Sequence, residues 1–164
     1  MRSFLFVPGD STRKFESAKK TAADALILDL EDSIAPDQKV VARGITREML
    51  DARNPEQKLY IRVNALDTDL TLGDLAAVMP GKPDGIVLPK CAGAADVNKL
   101  ALYLDAFEAA SGIAQGTTRI ITVATETARA VLKILDFENM SPRLWGMMWG
   151  AEDLAASLGA TRNR

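Results

Sequence analysis

Short apolar runs, each closing on polar or charged side chains, recur along this chain about every 28 residues, close to the roughly 31 expected when about 250 residues are shared among eight units. They cover residues 3–7, 25–29, 58–63, 85–88, 119–123 and 144–148. Between them, amphipathic spacing predicts helices over 12–21, 38–50, 70–79, 94–110 and 127–135. Pro36-Asp37 opens the second of these, with Asp37 suited to cap it, and Asn54-Pro55, Pro80-Gly81 and Ser141-Pro142 punctuate the loops. Strands that each end in chemistry point to an α/β fold, a TIM (β/α)8 barrel with its active site on one face. Only about the first six of the eight β/α units fit, so residues 1–164 are expected to form a single partial barrel that lacks its C-terminal units. The run Ala160-Thr161-Arg162-Asn163-Arg164 supplies no closing helix, and the expectation is part of a longer barrel. The competing fold is a complete doubly wound sheet, whose glycine-rich turn after the first strand is absent here.

The chain has no histidine, which removes serine–histidine triads, histidine-based zinc sites and imidazole acid–base chemistry. Catalysis is left to carboxylates, arginine, lysine, backbone amides or a hard metal ion. A formal net charge of −2 without a basic block argues against a nucleic-acid surface. No apolar stretch is long enough for a membrane span. The first apolar run is ended too soon by Pro8-Gly9 to read as a signal peptide. The single cysteine, Cys91, excludes an intrachain disulfide and fits a reducing cytoplasm.

Asp29-Leu30-Glu31-Asp32-Ser33 concentrates three carboxylates where a buried strand surfaces, and that charge calls for a counter-cation. Glu126 and Asp153 follow the fifth and sixth strands, and in a barrel they would project onto the same mouth. With water and substrate oxygens they suit Mg²⁺, which takes few protein ligands; as acids at helix N-termini they also suit the macrodipole. Glu152 is expected to face elsewhere. Glu31 and Asp32 could orient metal-bound water or form a solvated acidic loop. Arg62 ends an apolar strand, and its fork fits either a substrate carboxylate or an ion pair with Glu31 or Asp32. Pro8-Gly9-Asp10-Ser11-Thr12-Arg13-Lys14 combines a turn, a helix start and two cations, ingredients for a phosphate or for a capped turn alone. Lys90 could be a Schiff-base nucleophile if desolvated, or a charge-supporting ammonium kept protonated by its acidic neighbours. Trp145, Met147, Met148 and Trp149 are expected to pack in the core or barrel wall, and Cys91 to be a small packed side chain.

Taken together, Phe6-Val7-Pro8-Gly9-Asp10, Leu28-Asp29-Leu30-Glu31-Asp32-Ser33-Ile34-Ala35-Pro36 with Lys39 and Ala42-Arg43, Ile61-Arg62-Val63-Asn64, Leu88-Pro89-Lys90, Glu126-Thr127-Ala128 and Gly150-Ala151-Glu152-Asp153-Leu154-Ala155 resemble the HpcH/HpaI aldolase and citrate lyase beta-subunit (CitE-like) family. The resemblance runs through nearly the whole chain. It implies a TIM barrel with a C-terminal extension, assembled as a homotrimer or hexamer in the cytoplasm. It implies an Mg²⁺- (or Mn²⁺-) dependent carbon–carbon lyase that cleaves a hydroxyacyl thioester, of citryl-, malyl- or citramalyl-CoA type, to a keto acid and an acyl thioester. The alternatives are a pyruvate-type class II aldolase acting on free 2-keto acid aldols, and a non-catalytic CitE-like subunit. Carried over by position, Glu126 and Asp153 match the metal ligands, and Arg62, with Glu126, the groups that hold the substrate. Glu31 and Asp32 match the acidic loop near the metal water, and Lys90 assists electrostatically. Pro8, Gly9, Arg13 and Lys14 lie where the carrier of a CoA thioester is contacted. The general base is expected beyond position 164, so this chain alone is expected to be weakly active or inactive.

Overall fold

The computed structural model describes residues 1–161; Arg162, Asn163 and Arg164, part of the run expected to lack a closing helix, lie outside the described residues. Strands and helices alternate in the order β1 (Phe4–Pro8), α1 (Thr12–Ala18), β2 (Ala25–Asp29), α2 (Lys39–Asp51), β3 (Lys58–Arg62), α3 (Thr71–Val78), β4 (Gly85–Leu88), α4 (Ala94–Ala110), β5 (Arg119–Val123), α5 (Ala128–Leu132), β6 (Leu144–Met148) and α6 (Ala151–Ser157). Every neighbouring pair of strands is parallel, and the sheet order is β1-β2-β3-β4-β5-β6. This order decides between the two candidate folds. A doubly wound sheet reverses strand order at a switch point, whereas here each strand is added on the same side of the last, as in a barrel.

Curvature supports the same conclusion. Six flat strands would hold β1 and β6 about 24 Å apart at the usual inter-strand spacing, yet the rings of Phe4 on β1 and Trp145 on β6 lie 6.4 Å apart. Tyr60 on β3 meets both rings, edge-on to Phe4 at 5.7 Å and stacked on Trp145 at 6.4 Å. The sheet therefore curls around an interior cluster of Ala25, Ile27, Tyr60, Val87, Ile121 and Val123. The opposite faces of the same strands, among them Leu26, Leu28, Leu59, Ile61, Ile86, Leu88 and Ile120, pack under the helices in the larger core. Burial on both faces is why β2 and β4 read as continuous apolar runs. Helix α4 presents Val97, Leu100, Ala101 and Leu104 to that core, the stripe expected of a helix lying on a sheet.

Four details differ from the sequence reading. Asp37 does not cap α2; it lies in a 3-10 turn, Pro36–Gln38, and α2 starts after Gln38 without a side-chain cap. The helix expected over 127–135 stops at Leu132, where Lys133 N–H is shared between the carbonyls of Arg129 and Ala130. The chain then tightens into a 3-10 stretch, Ile134–Asn139, from which Phe137 enters the core. A sixth helix, α6, follows β6 directly. Finally, Met147 and Trp149 are exposed rather than packed away, Trp149 to 67%, while Trp145 stacks on Tyr60 yet leaves 45% of its surface open. Trp145 and Met147 lie on β6 and Trp149 just past it, and β6 is an outer strand with no partner on its far side among the described residues.

Candidate active site

The C-terminal ends of β2 to β6 bring the charged residues together. Asp29 ends β2 beside Arg62, which ends β3, because the register pairs these two positions. Arg62 donates Nε and Nη2 to the two Asp29 carboxylate oxygens at 2.7 and 2.8 Å, a bidentate fork. Asp29 also accepts the N–H groups of Glu31 and Ser33 at 2.9 and 3.1 Å. Burial opposes charge on Asp29, but the arginine and these N–H donors outweigh it and hold the carboxyl below its ordinary range. The remaining nitrogen, Nη1, lies 3.0 Å from Glu31 Oε2 and 3.6 Å from Asp32 Oδ2. Glu31 Oε2 has no hydrogen-bond partner, so charge alone relates it to Arg62.

The acidic loop is held from behind. Lys39 Nζ donates to the carbonyls of Leu30 and Glu31 at 2.8 and 2.6 Å. Asn64 Nδ2 donates to the Leu30 carbonyl and to Asp74, which Arg43 grips at 2.7 Å. Gly9 N–H donates to the Asp29 carbonyl at 2.8 Å. A Cβ on Gly9 would lie 2.5 Å from Thr46 Oγ1 and 2.7 Å from that carbonyl, so the contact requires glycine.

Lys90, just past β4, donates its ammonium to Glu31 Oε1 and its main-chain N–H to Glu126 Oε2. Burial works against the ammonium, yet the bond to Glu31 and the charges of Asp32 and Glu126 hold it above its ordinary value. Glu126, beyond β5, is buried. Burial, with the charges of Glu31 and Asp153, raises its carboxyl above the usual range, against the N–H of Lys90. Asp153 lies in the first turn of α6, and its charge is one of those that raise Glu126, while Glu152 is exposed. Gly150 makes the approach possible: its N–H donates to Thr125 Oγ1 at 2.9 Å, and a Cβ there would fall 2.4 Å from Glu126 Cγ.

Among the described residues no three His, Cys, Asp or Glu side chains cluster as a ready-made metal cage. The fit to Mg²⁺ is nonetheless good, since this ion keeps several waters and uses one or two carboxylates. Among the described residues, the carboxylates Asp29, Glu31, Asp32, Glu126 and Asp153 are set against the cations Arg62, Lys90 and Lys39. That leaves an excess of two negative charges, with Glu126 and Asp153 the pair lacking a cationic side chain in contact among the described residues. A divalent cation would relieve it.

Arg13 and Lys14 are exposed and touch none of this cluster. With Pro8 they line a separate groove of about 510 Å³ between β1 and α1. Cys91 is buried, and burial pushes its thiol up to about 12, so it is inert. Asp29 and Gly150 had no assigned role in the sequence reading. The signal for Asp29 was there in principle, as a carboxylate and an arginine end adjacent strands, but only the register reveals their pairing.

A family model described as HpcH/HpaI aldolase/citrate lyase matches residues 2–164. A (3S)-malyl-CoA thioesterase of Cereibacter sphaeroides is 35% identical over 160 residues, covering 97% of this chain and 52% of that protein. An L-malyl-CoA/beta-methylmalyl-CoA lyase of Rhodobacter capsulatus is 36% identical over 165 residues, covering 96% of this chain and 50% of that protein. The chain thus spans about half the length of the curated relatives it matches. Among solved structures, CitE of Mycobacterium tuberculosis in complex with magnesium, acetoacetate and coenzyme A superposes with a TM-score of 0.78 at 36% identity, covering 98% of this chain and 52% of that one. RipC of Yersinia pestis superposes with a TM-score of 0.75 at 29% identity, covering 98% and 63%.

Proposed function

The chain belongs to the HpcH/HpaI aldolase/citrate lyase family, and from that membership we propose that it serves the Mg²⁺-dependent cleavage of a carbon–carbon bond in a malyl-, citramalyl- or citryl-CoA type thioester. The products are a keto acid and an acyl thioester. The observation that carries this reading is the excess of negative charge around Glu126 and Asp153 at one mouth of the sheet. These two side chains would hold Mg²⁺ or Mn²⁺. When bound, the ion supplies Lewis acidity toward the hydroxyl and carboxylate of the substrate.

The chain's own groups supply orientation and charge. Arg62 commits Nε and Nη2 to Asp29, and Nη1, ion-paired with Glu31 at 3.0 Å, is the nitrogen that a keto-acid carboxylate would meet in place of Glu31. Lys90 is held as an ammonium, which favours charge support over Schiff-base chemistry. Glu31 and Asp32 border the same space. Arg13 and Lys14 are the exposed cations beside β1 that fit carrier phosphates, with Pro8 and Gly9 shaping the turn between them and the acidic strand. As an assembly we read a homotrimer or hexamer, checked by light scattering, in the cytoplasm.

The test feeds malyl-, citramalyl- and citryl-CoA to the protein with Mg²⁺ and with chelator, and separately a free 2-keto acid aldol. Keto acid and acyl-CoA formed together at a weak rate, only with metal, and lost in Glu126→Ala, is the expected result. Turnover of the free aldol alone would transfer the reading to a pyruvate-type aldolase. Free CoA without keto acid would indicate thioester hydrolysis, the activity in the name of the (3S)-malyl-CoA thioesterase relatives. No turnover and no Mg²⁺ uptake would leave a non-catalytic subunit.

A further inference from the structure

Among the described residues, two with a Cβ adopt the left-handed backbone region, Lys82 at φ 53° and Lys90 at φ 51°. For such residues this conformation is held against a cost of order 1–3 kcal/mol and persists only where surrounding contacts determine it. Lys82 closes a local turn, its N–H donating to the Met79 carbonyl at 2.9 Å. Lys90 also lies in a turn, with Pro89 just past β4, but its own N–H closes no local bond. Its N–H crosses to Glu126 Oε2 on the next strand's loop, and its ammonium reaches the other way, to Glu31 Oε1, with Asp32 Oδ1 3.6 Å off.

We propose that Lys90 is a positioning residue whose left-handed main chain aims the Glu126 carboxylate at a divalent cation, while its ammonium draws the Glu31–Asp32 loop to the same place. The proposal rests on the reading of Glu126 and Asp153 as cation ligands. Among the described residues no other hydrogen bond reaches the Glu126 carboxylate, so this N–H fixes its rotation. The Gly150 backbone packs against the same side chain. Glycine at position 90 would take the conformation freely but would leave Glu31 and Asp32 without their ammonium. One lysine, held at an unfavourable φ, serves both contacts.

The two contacts are separable by substitution. Lys90→Gly and Lys90→Val both remove the ammonium, but only glycine keeps the left-handed backbone; a β-branched residue rejects it. Mg²⁺ binding to the 164-residue chain, followed by calorimetry with circular dichroism as a check on folding, reads the difference. Removing a positive charge from an acidic site favours a cation, so Lys90→Gly is expected to bind Mg²⁺ at least as tightly as the unmodified chain. Lys90→Val is expected to bind it about 10–100-fold more weakly than Lys90→Gly, the usual loss when a group orienting a metal ligand is removed. Should Lys90→Val not fold, Lys90→Ala replaces it, with affinity expected below that of Lys90→Gly. Equal Mg²⁺ affinity in the glycine and valine (or alanine) variants, with the unmodified chain binding, overturns the positioning role and leaves the metal site standing. An unmodified chain that takes up no Mg²⁺ removes the metal site and the proposal together.

Discussion

At the scale of single residues, the site is a problem of placing like charges close together at tolerable cost. Asp29 bears most of that burden, because it satisfies Arg62 through two hydrogen bonds and takes two main-chain N–H groups as well. Truncating one member of a buried, hydrogen-bonded ion pair costs about 3–5 kcal/mol, since the other charge is left without its partner. Asp29→Ala is expected at the lower end of that range, as Glu31 remains close to Arg62 Nη1. Urea unfolding at neutral pH checks this, and a loss under about 1 kcal/mol, the worth of an exposed pair, would mean the fork is solvent-screened. The individual charges were legible in the sequence: Glu31, Asp32, Arg62, Lys90, Glu126 and Asp153 all sit at strand ends. Their partners were not. That Arg62 answers to Asp29 first depends on strand register, and the second contact of Lys90 depends on a main-chain torsion that no side-chain pattern encodes.

Among the elements, the strands were easier to read than the helices for a physical reason. Strands β2, β4, β5 and β6 begin and end where the apolar runs do; for β2, β4 and most of β5 the reason is that a strand buried on both faces shows its burial in every residue. Helix ends depend on capping and on what lies beneath, hence the early stop of α5 and the unforeseen α6. Helix α4 contains a further surprise in Glu108, which continues its buried stripe. Glu108 accepts Arg143 Nη1 and Nη2 at 2.8 and 2.6 Å, and the N–H groups of Gly116 and Thr118 at 2.8 Å each. It joins α4 to the N-terminal ends of β5 and β6, opposite the candidate active site. Burial opposes its charge, but Arg143 and these N–H groups prevail and push the carboxyl from 4.5 down to about 2. A carboxyl depressed on folding contributes stability in full above its unfolded value and loses it as pH falls through its folded value. Glu108→Gln is therefore expected to be about 3–5 kcal/mol less stable at neutral pH. The gap to the unmodified chain should close as pH drops from 4.5 toward 2. Unfolding curves measured across that window test it, and a constant gap would place the effect in packing instead of charge.

For the molecule as a whole, the decisive geometry is a sheet that curls without closing on itself among the described residues. Strands β1 and β6 are both outer strands, and each leaves apolar surface beside it. Next to β1 the groove is lined by Leu5, Phe6 and Val7; next to β6 it is lined by Val131, Ile134, Met147 and Trp149. Leu132, ending α5, is 86% exposed and Leu135, in the 3-10 stretch after it, 75%. Unpaired strand edges beside apolar surface are sites of association, because both the backbone groups and the side chains gain by being covered. The chain is therefore expected to bind a hydrophobic dye and to elute from a sizing column earlier as its concentration rises. Leu132→Glu combined with Leu135→Glu should reduce both effects without altering far-ultraviolet dichroism, since neither side chain belongs to the core. The doubly substituted protein separates two causes. If its dye binding falls while its concentration-dependent elution persists, the strand edges themselves drive association; if both persist, Leu132 and Leu135 have no part in it.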